Sequence, residues 1–338
     1  MNSPSFRFSS MSLSRFQTGY SLVEWMITIV LALFLTAGLF SIFISSRAVT
    51  SESLSGSERQ ESATFAMQLL VRDLKQAYFF AQSTGENSSL WTLNGASIAV
   101  SDDCIDNASI GSFPSGGVFR PLWAATVPAS LTGMAMTCID DNETNTSLIA
   151  DSDYLSLKRT RGLAQTDQFV EDRYYLDIST TGIDVYLGNS SSLSNGDVST
   201  AWEYIHHVYY LDKEGDVPRL RRIKLEKNKM QLQEVIAEGI EDMQFMFALD
   251  NLIASDRTGS INAFIGTSQV TNNDWNTGRV IGMKIFLLAR SLKKTPGYKN
   301  TDSYQLGDRV FTAPGDAYKR EVSSQVITFD NSVVSIDE

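Results

Sequence analysis

The feature that most constrains this chain is an apolar run close to its amino terminus. From Tyr20 to Ile44 the sequence reads YSLVEWMITIVLALFLTAGLFSIFI, with Glu24 as its one charged residue. A helix of about 25 residues rises far enough to cross roughly 30 Å of hydrocarbon. The run therefore predicts a helix that spans a membrane.

A short polar segment, residues 1–19, precedes the apolar run. It carries Arg7 and Arg15 and contains no acidic residue. Because positive charge holds such an end in the cytoplasm, we expect the rest of the chain on the far side of the membrane. An ordinary secretory signal is cut after its apolar core, whereas Gly19 stands directly before the core in this chain. This order indicates a leader that is removed ahead of the apolar run.

Glu24 is an acid within apolar sequence, where a carboxylate is costly unless it is paired. If the chain is cut after Gly19, the new terminus is the ammonium group of Tyr20, one helical turn before Glu24. The two groups can pair within one chain or between staggered neighbours, and the second arrangement would drive assembly. In the alternative interpretation, Glu24 lies near the membrane interface and reaches the lipid headgroups.

The segment TGYSLVE, residues 18–24, resembles the class III signal of type IV prepilins and pseudopilins. The resemblance implies that prepilin peptidase removes residues 1–19 by cutting between Gly19 and Tyr20. It also implies methylation of the new amine of Tyr20 and pairing of Glu24 with a neighbour's amine. Tyr20 stands where the family usually has Phe, and it keeps the aromatic character of that position.

A helical pattern continues beyond the apolar run. No proline lies between Pro4 and Pro114, and residues 61–82 keep apolar positions at helical spacing. We expect one helix over residues 20–82, roughly 95 Å long, with its first half in lipid or a filament core and its second half against the body. Its weakest stretch is 45–60, where Ser, Thr and Gly lower helix propensity. The predicted apolar stripe comprises Phe65, Leu69, Leu70, Leu74, Ala77 and Tyr78, and the predicted polar remainder includes Glu61, Gln68, Arg72, Asp73 and Lys75.

After Ser83 short apolar runs alternate with Gly, Ser and Asn, which is typical of strands and turns. We therefore predict an α+β fold, in which a long N-terminal helix packs on a C-terminal, mainly antiparallel β body. Residues 231–249 fit helix or strand, and a strand is favoured from Met243 onward. The candidate strands are Tyr154–Arg159, Asp172–Asp177, Ile183–Leu187, Ile205–Leu211, Arg219–Leu225 and Val280–Leu288.

With 338 residues, 43% of them hydrophobic, the chain is long enough for one anchored globular body. The predicted organisation has four segments. They are a prepilin leader (1–19), the transmembrane and assembly half of the helix (20–46), its amphipathic half (47–83) and a periplasmic β-rich body (84–338).

Three further segments resemble PilW-type minor pilins. They are LLVRDLKQAYFF (69–80), VIGMKIFLLARS (280–291) and YKREVSSQVITFDN (318–331). The resemblance implies a minor pilin that is inserted once in the inner membrane, joins the pilus with other minor pilins and the major pilin, and primes assembly or caps the tip. A pseudopilin of type II secretion is the nearest alternative. The family's common Gly and Cys after the helix are replaced by Phe80 to Gln82.

The two cysteines, Cys104 and Cys138, lie in loop-like sequence beyond the membrane segment. An oxidising periplasm would let them form a disulfide, which the loop-closure model values at roughly 3 to 4 kcal/mol. The alternative is two free buried thiols. No second Cys or His stands at ligand spacing from either residue, so we expect no metal there.

The remaining sequence offers little for catalysis or for nucleic acid. Its net charge of -11 and the lack of a Lys/Arg cluster argue against a partner with a phosphate backbone. His206 and His207 are adjacent, so on a strand they point to opposite faces, and we expect them on the sheet surface without a shared metal. Asp151 and Asp153 do not match calcium-loop spacing and predict a solvated acidic loop. No catalytic motif appears, so we expect no enzyme and no cofactor, and a signal-anchored periplasmic binding or hydrolytic protein is a distant rival.

Overall fold

A computed structural model describes residues 19–81, 83, 88–94, 103, 110–114, 118–130, 135–136, 139, 147–179, 181–194, 200–251 and 258–334. The chain divides into two compact units, one that ends at Ser53 and one that begins at Leu54. From Leu22 onward, the described residues of the first unit are helix. The second contains the remainder of that helix and the β body.

The long helix α1 spans Leu22–Leu74 without interruption. It stays helical through residues 45–60, the stretch that the sequence marks as weakest. It ends at Leu74, however, and not at the predicted position 82. The backbone tightens into turns through Ala77 N–H to Leu74 C=O (2.9 Å), and Tyr78 then adopts a left-handed φ of 61°.

The predicted α+β class is confirmed, and each candidate strand lies on an observed one. Residues 231–249 form strand throughout apart from a short turn at Gly239. In the described part of the chain the strands are β1 Trp91–Leu93, β2 Leu122–Thr126, β3 Ser147–Leu148, β4 Asp153–Gln165, β5 Tyr174–Ile178, β6 Ile183–Leu187, β7 Ala201–Glu214, β8 Val217–Glu226, β9 Lys229–Glu238, β10 Ile240–Asp250, β11 Ile261–Gly266, β12 Val280–Arg290, β13 Ser303–Leu306, β14 Arg309–Thr312 and β15 Arg320–Thr328. The short helices are α2 Ser191–Ser194, α3 Asn272–Asn276 and α4 Asp330–Val334, with 3₁₀ turns at Ser88–Leu90 and Thr267–Gln269.

Two main sheets build the body. The larger has nine strands, in which β1-β6-β5-β7-β4-β2 are neighbours in that order while β3 and β8 also pair with β7, and β9 pairs with β8. The second has four strands in the order β11-β10-β12-β15, and β13 and β14 form a separate hairpin. Among the described strands, every pairing is antiparallel except that of β1 with β6. The body is therefore mainly antiparallel, as predicted.

One face of the second half of α1 enters the main core. Its buried apolar residues recur at helical spacing, as a helix packed along one side requires. Phe65, predicted on this stripe, is 53% exposed, so that part of the prediction is wrong. Asp73, predicted among the polar remainder, is buried. The residues on the buried face are Ala63, Ala66, Met67, Leu70, Val71 and Leu74, followed by Ala77 and Tyr78 in the turn.

Candidate assembly site

The first part of α1 is apolar on all sides, and no described residue of the chain covers it. Its large hydrophobic side chains are exposed, from Leu22 at 78% to Ile44 at 55%. Among the described residues, this is the one helix long and apolar enough to cross a membrane. An exposed apolar surface of this size needs lipid or other protein around it. The segment can therefore serve as a membrane anchor.

Ser21 and Glu24 form a reciprocal cap at the start of α1. The backbone N–H of Glu24 donates to Ser21 Oγ (3.2 Å), and the backbone N–H of Ser21 donates to Glu24 Oε2 (3.4 Å). This capping box satisfies two N–H groups that a helix start otherwise leaves unpaired. It explains why the helix begins at Leu22, two residues after the predicted new terminus at Tyr20. The S-x-x-E spacing in the sequence would have predicted the cap.

The other predicted site residues are only partly within the described structure. Gly19 and Tyr20 are both exposed ahead of α1. The leader residues before Gly19 lie outside the described residues, as do Cys104 and Cys138. Cleavage, methylation and the disulfide therefore stay predictions.

A buried polar cluster ties the end of α1 to the larger sheet. Asp73 accepts from Arg159 Nε at 2.7 Å, and Arg159 Nη2 lies 2.5 Å from the same oxygen. Its other oxygen accepts from the hydroxyl of Tyr209 at 2.5 Å and lies 2.6 Å from His207 Nδ1. Because one residue on α1 meets one on β4 and two on β7, the cluster fixes the helix against two strands at once. We call these four residues the Asp73 cluster.

Protonation within the Asp73 cluster follows from its surroundings. Burial raises the pKa of the Asp73 carboxyl, but His207, Arg159 and Tyr209 outweigh burial and hold that pKa well below 3.8. Burial lowers the pKa of His207, so its imidazole is neutral near pH 7. A carboxylate only accepts hydrogen bonds, which places the His207 hydrogen on Nδ1. The cluster is thus one full ion pair supported by two neutral donors.

The adjacent histidine, His206, belongs to a different buried network. Its Nδ1 lies 2.8 Å from Ser112 Oγ and its Nε2 lies 2.9 Å from Ser156 Oγ, while Ser112 also donates to Asp103. The prediction that the two histidines lie on the sheet surface is wrong, since His206 is 1% exposed and His207 lies in the Asp73 cluster. They do contact separate partners on opposite faces. Ser112 is fully buried as well, so this Ser–His contact is a polar contact within the core of the body.

The prediction of a solvated acidic loop holds for Asp151 but is wrong for Asp153. Asp151 is exposed, whereas Asp153 is buried at the start of β4. Asp153 accepts from Thr126 Oγ1 (2.6 Å), Thr267 Oγ1 (2.5 Å) and the N–H of Phe245 (2.9 Å). It links both main sheets and the turn between β11 and α3. Within the described residues, no group of three or more His, Cys, Asp or Glu side chains is placed to hold a metal ion.

One part of the body matches the model of a known protein family. Residues 208–331 match the family model of the type IV pilus-assembly protein W, PilW. The resemblance to PilW-type pilins that the sequence predicts is confirmed by this match. It begins in β7 and extends through β15 into α4. It supports a pilin-type, structural role that involves contact with other pilus components.

The chain was also compared with curated proteins and with solved structures. No curated protein matches the chain. A solved structure of a type IV-like pilin from Thermus thermophilus aligns with 80% of this chain and 97% of its own length, at 10% identity and a TM-score of 0.34. This structural similarity is too weak to assign a function.

Within the PilW-matched segment, Arg320 closes the second sheet. Its guanidinium meets Glu241 on β10 (Nε to Oε2, 2.5 Å) and Asp316 ahead of β15 (Nη2 to Oδ2, 2.6 Å). The Arg320 side chain is fully buried, and its two carboxylate partners outweigh burial and raise its pKa. A bidentate arginine between two carboxylates is a strong, directional contact. It gives a structural role to the arginine that begins β15, within the segment 318–331 that resembles PilW-type pilins.

Proposed function

We propose that this chain is a minor pilin of a type IV pilus. In this proposal prepilin peptidase cuts between Gly19 and Tyr20, the Tyr20 amine is methylated, and residues 20–46 span the inner membrane. The body, residues 84–338, lies in the periplasm and later on the pilus, with residues 47–83 as the helix that joins it. The subunit primes assembly or caps the tip together with other minor pilins.

The PilW match over 208–331 is the observation that carries this proposal. The N-terminal half of α1 supports it, because a lone acid stands near the start of an exposed apolar helix. Nothing in a bilayer neutralises that acid well, whereas the methylated amine of a neighbouring subunit would. Because lipid is as apolar as leucine, hydrophobicity alone does not favour the filament over the membrane. Neutralisation of the Glu24 carboxylate and close packing of the helices favour the filament.

The size of the body favours a position of low copy number. The unit that begins at Leu54 is far larger than the helical unit before it. A bulky body suits a tip better than a repeating shaft. The family match names pilus assembly, which favours this role over that of a secretion pseudopilin.

We also propose that Cys104 and Cys138 form a disulfide in the periplasm.

Glu24→Ala tests the role of the carboxylate. We expect normal cleavage, because the cut lies before Ser21, and strongly reduced piliation at native expression. Thr36→Ala is a matched control, since the Thr36 hydroxyl bonds only to carbonyls of its own helix, Ala32 and Leu33, among the described residues. Piliation equal to wild type in Glu24→Ala would remove the proposed role of this acid.

A further inference from the structure

A cavity of about 510 Å³ opens beside the Asp73 cluster. Its walls come from the end of α1 and from strands β4, β7 and β8. This volume lies within the range of small-molecule sites, about 300–1,000 Å³. The lining contains four arginines and one carboxylate, which is unusual in a chain of net charge -11. The arginines are Arg72, Arg159, Arg161 and Arg222, and the carboxylate is Asp73.

An irregularity in β4 shapes the mouth of this cavity. The register of β4 against β7 shifts between Thr160 and Ala164, so residues 161–163 bulge out of the ladder. Gly162 faces open space, and Leu163 is 74% exposed at the rim. Bulges of this kind re-aim side chains and are frequent beside functional sites. Here the bulge places Arg161 at the cavity.

Not all of the positive charge in the cavity is neutralised by the protein. Three of the arginines form ion pairs with carboxylates of the protein. Arg159 pairs with Asp73 and Arg222 pairs with Glu234. Arg161 shares Glu203 with Arg173. Arg72 is exposed and forms no ion pair among the described residues. One guanidinium therefore remains without a carboxylate.

Donor groups also remain free at the cavity wall. The Nε of Arg222 has no hydrogen-bond partner among the described residues, but it is shielded from solvent, so Arg222 contributes its charge to the cavity wall while its Nη2 donates to Glu234. The side chain of Arg161 is 55% exposed and uses one nitrogen, Nη1, for Glu203. Guanidinium groups present their N–H groups in a planar fork that matches carboxylate and phosphate oxygens. An oxyanion in the cavity would accept from the free nitrogens of Arg161 and would balance the unpaired charge of Arg72.

We propose that this cavity is a binding site for a single oxyanion, a phosphate or carboxylate group, bound by Arg72 and Arg161 with the charge of Arg222 beside them. The Asp73 cluster forms its rigid floor, since Arg159 is fully engaged there. The site lies between the end of α1 and the β body, and it does not involve the cleavage position or Glu24. It goes beyond the proposed pilin function, and either can fail without the other.

Calorimetric titration of the full chain in detergent and low-salt buffer tests this site. The probes are inorganic phosphate and acetate, titrated separately. We expect saturable one-to-one binding of at least one probe, and the probe that binds identifies the ligand class as phosphate or carboxylate. Absence of saturable binding for both probes would overturn the proposal.

Variants locate the binding. Arg72→Gln should weaken the affinity about tenfold, as expected for loss of one charge-assisted contact, and Arg72→Gln with Arg161→Gln should abolish it. Lys75→Gln is the matched control, because Lys75 is exposed on the neighbouring turn, carries the same charge and does not line the cavity. Equal weakening in Arg72→Gln and Lys75→Gln would show diffuse charge attraction and would also overturn the proposal.

Discussion

Asp73 on α1 and Arg159 on β4 form a buried ion pair, with Nε 2.7 Å from Oδ1, across 86 residues of sequence. Breaking such a pair from one side leaves the other charge buried without compensation. The pair is therefore one of the contacts that hold the end of α1 against β4, beside the cavity.

Asp73→Ala should destabilise the body by about 3 to 5 kcal/mol, because Arg159, His207 and Tyr209 all lose their acceptor. Urea unfolding of the chain in detergent, followed by tryptophan fluorescence, measures this change. Adding Arg159→Met should recover part of the loss, since no unpaired charge then remains. Lys75→Ala, on the exposed side, should change stability by less than about 0.5 kcal/mol. Equal effects of Asp73→Ala and Lys75→Ala would contradict the assignment.

Asp153 should make stability fall as the pH rises through mild acid. Burial raises the pKa of Asp153 to about 6, with hydrogen bonds from Thr126, Thr267 and Phe245 opposing the shift. Its contribution is therefore fully present below pH 3.8, and it is lost as the pH rises through 6. The free energy of unfolding of wild type minus that of Asp153→Asn should drop by roughly 3 kcal/mol between pH 4 and 7. A flat difference over this window would show that Asp153 titrates normally.

Lys158 should produce the opposite slope in mild alkali. It is fully buried, donates to the carbonyl of Arg120 at 3.0 Å, and lies 4.8 Å from the ring centre of Phe119. Burial lowers its pKa to about 7, although nearby Asp103 opposes the shift. Its contribution is present above pH 10.5 and is lost as the pH falls through 7. Wild type should gain roughly 2 kcal/mol relative to Lys158→Met between pH 7 and 9, and parallel unfolding curves would contradict this pKa.

The long helix and most of the sheet were predictable because their signals are local. Apolar spacing marks α1, and alternation marks β12, so Val280–Arg290 begins where the sequence places it. The helix end was not predictable, because LKQAYFF contains neither Gly nor Pro. Tyr78 adopts its left-handed φ there, and Phe80 enters the core against Phe119, an aromatic residue distant in sequence.

The buried polar networks were missed for a related reason. Asp73 and His207 look like surface residues until a distant partner neutralises them, and their contact spans 134 residues. The periodicity of apolar residues predicts which face of a helix or strand a residue occupies, but it does not predict which distant residue contacts it. The capping box at Ser21 and Glu24, by contrast, is local and could have been found from spacing alone.

The amino terminus of the mature chain tests the central claim most directly. The chain would be purified from cells with active prepilin peptidase, and its terminal peptide would be measured by mass spectrometry. We expect a chain that begins at Tyr20 with a methylated amine, and a Gly19→Leu variant that keeps its leader. A functional chain that still carries residues 1–19 would contradict it.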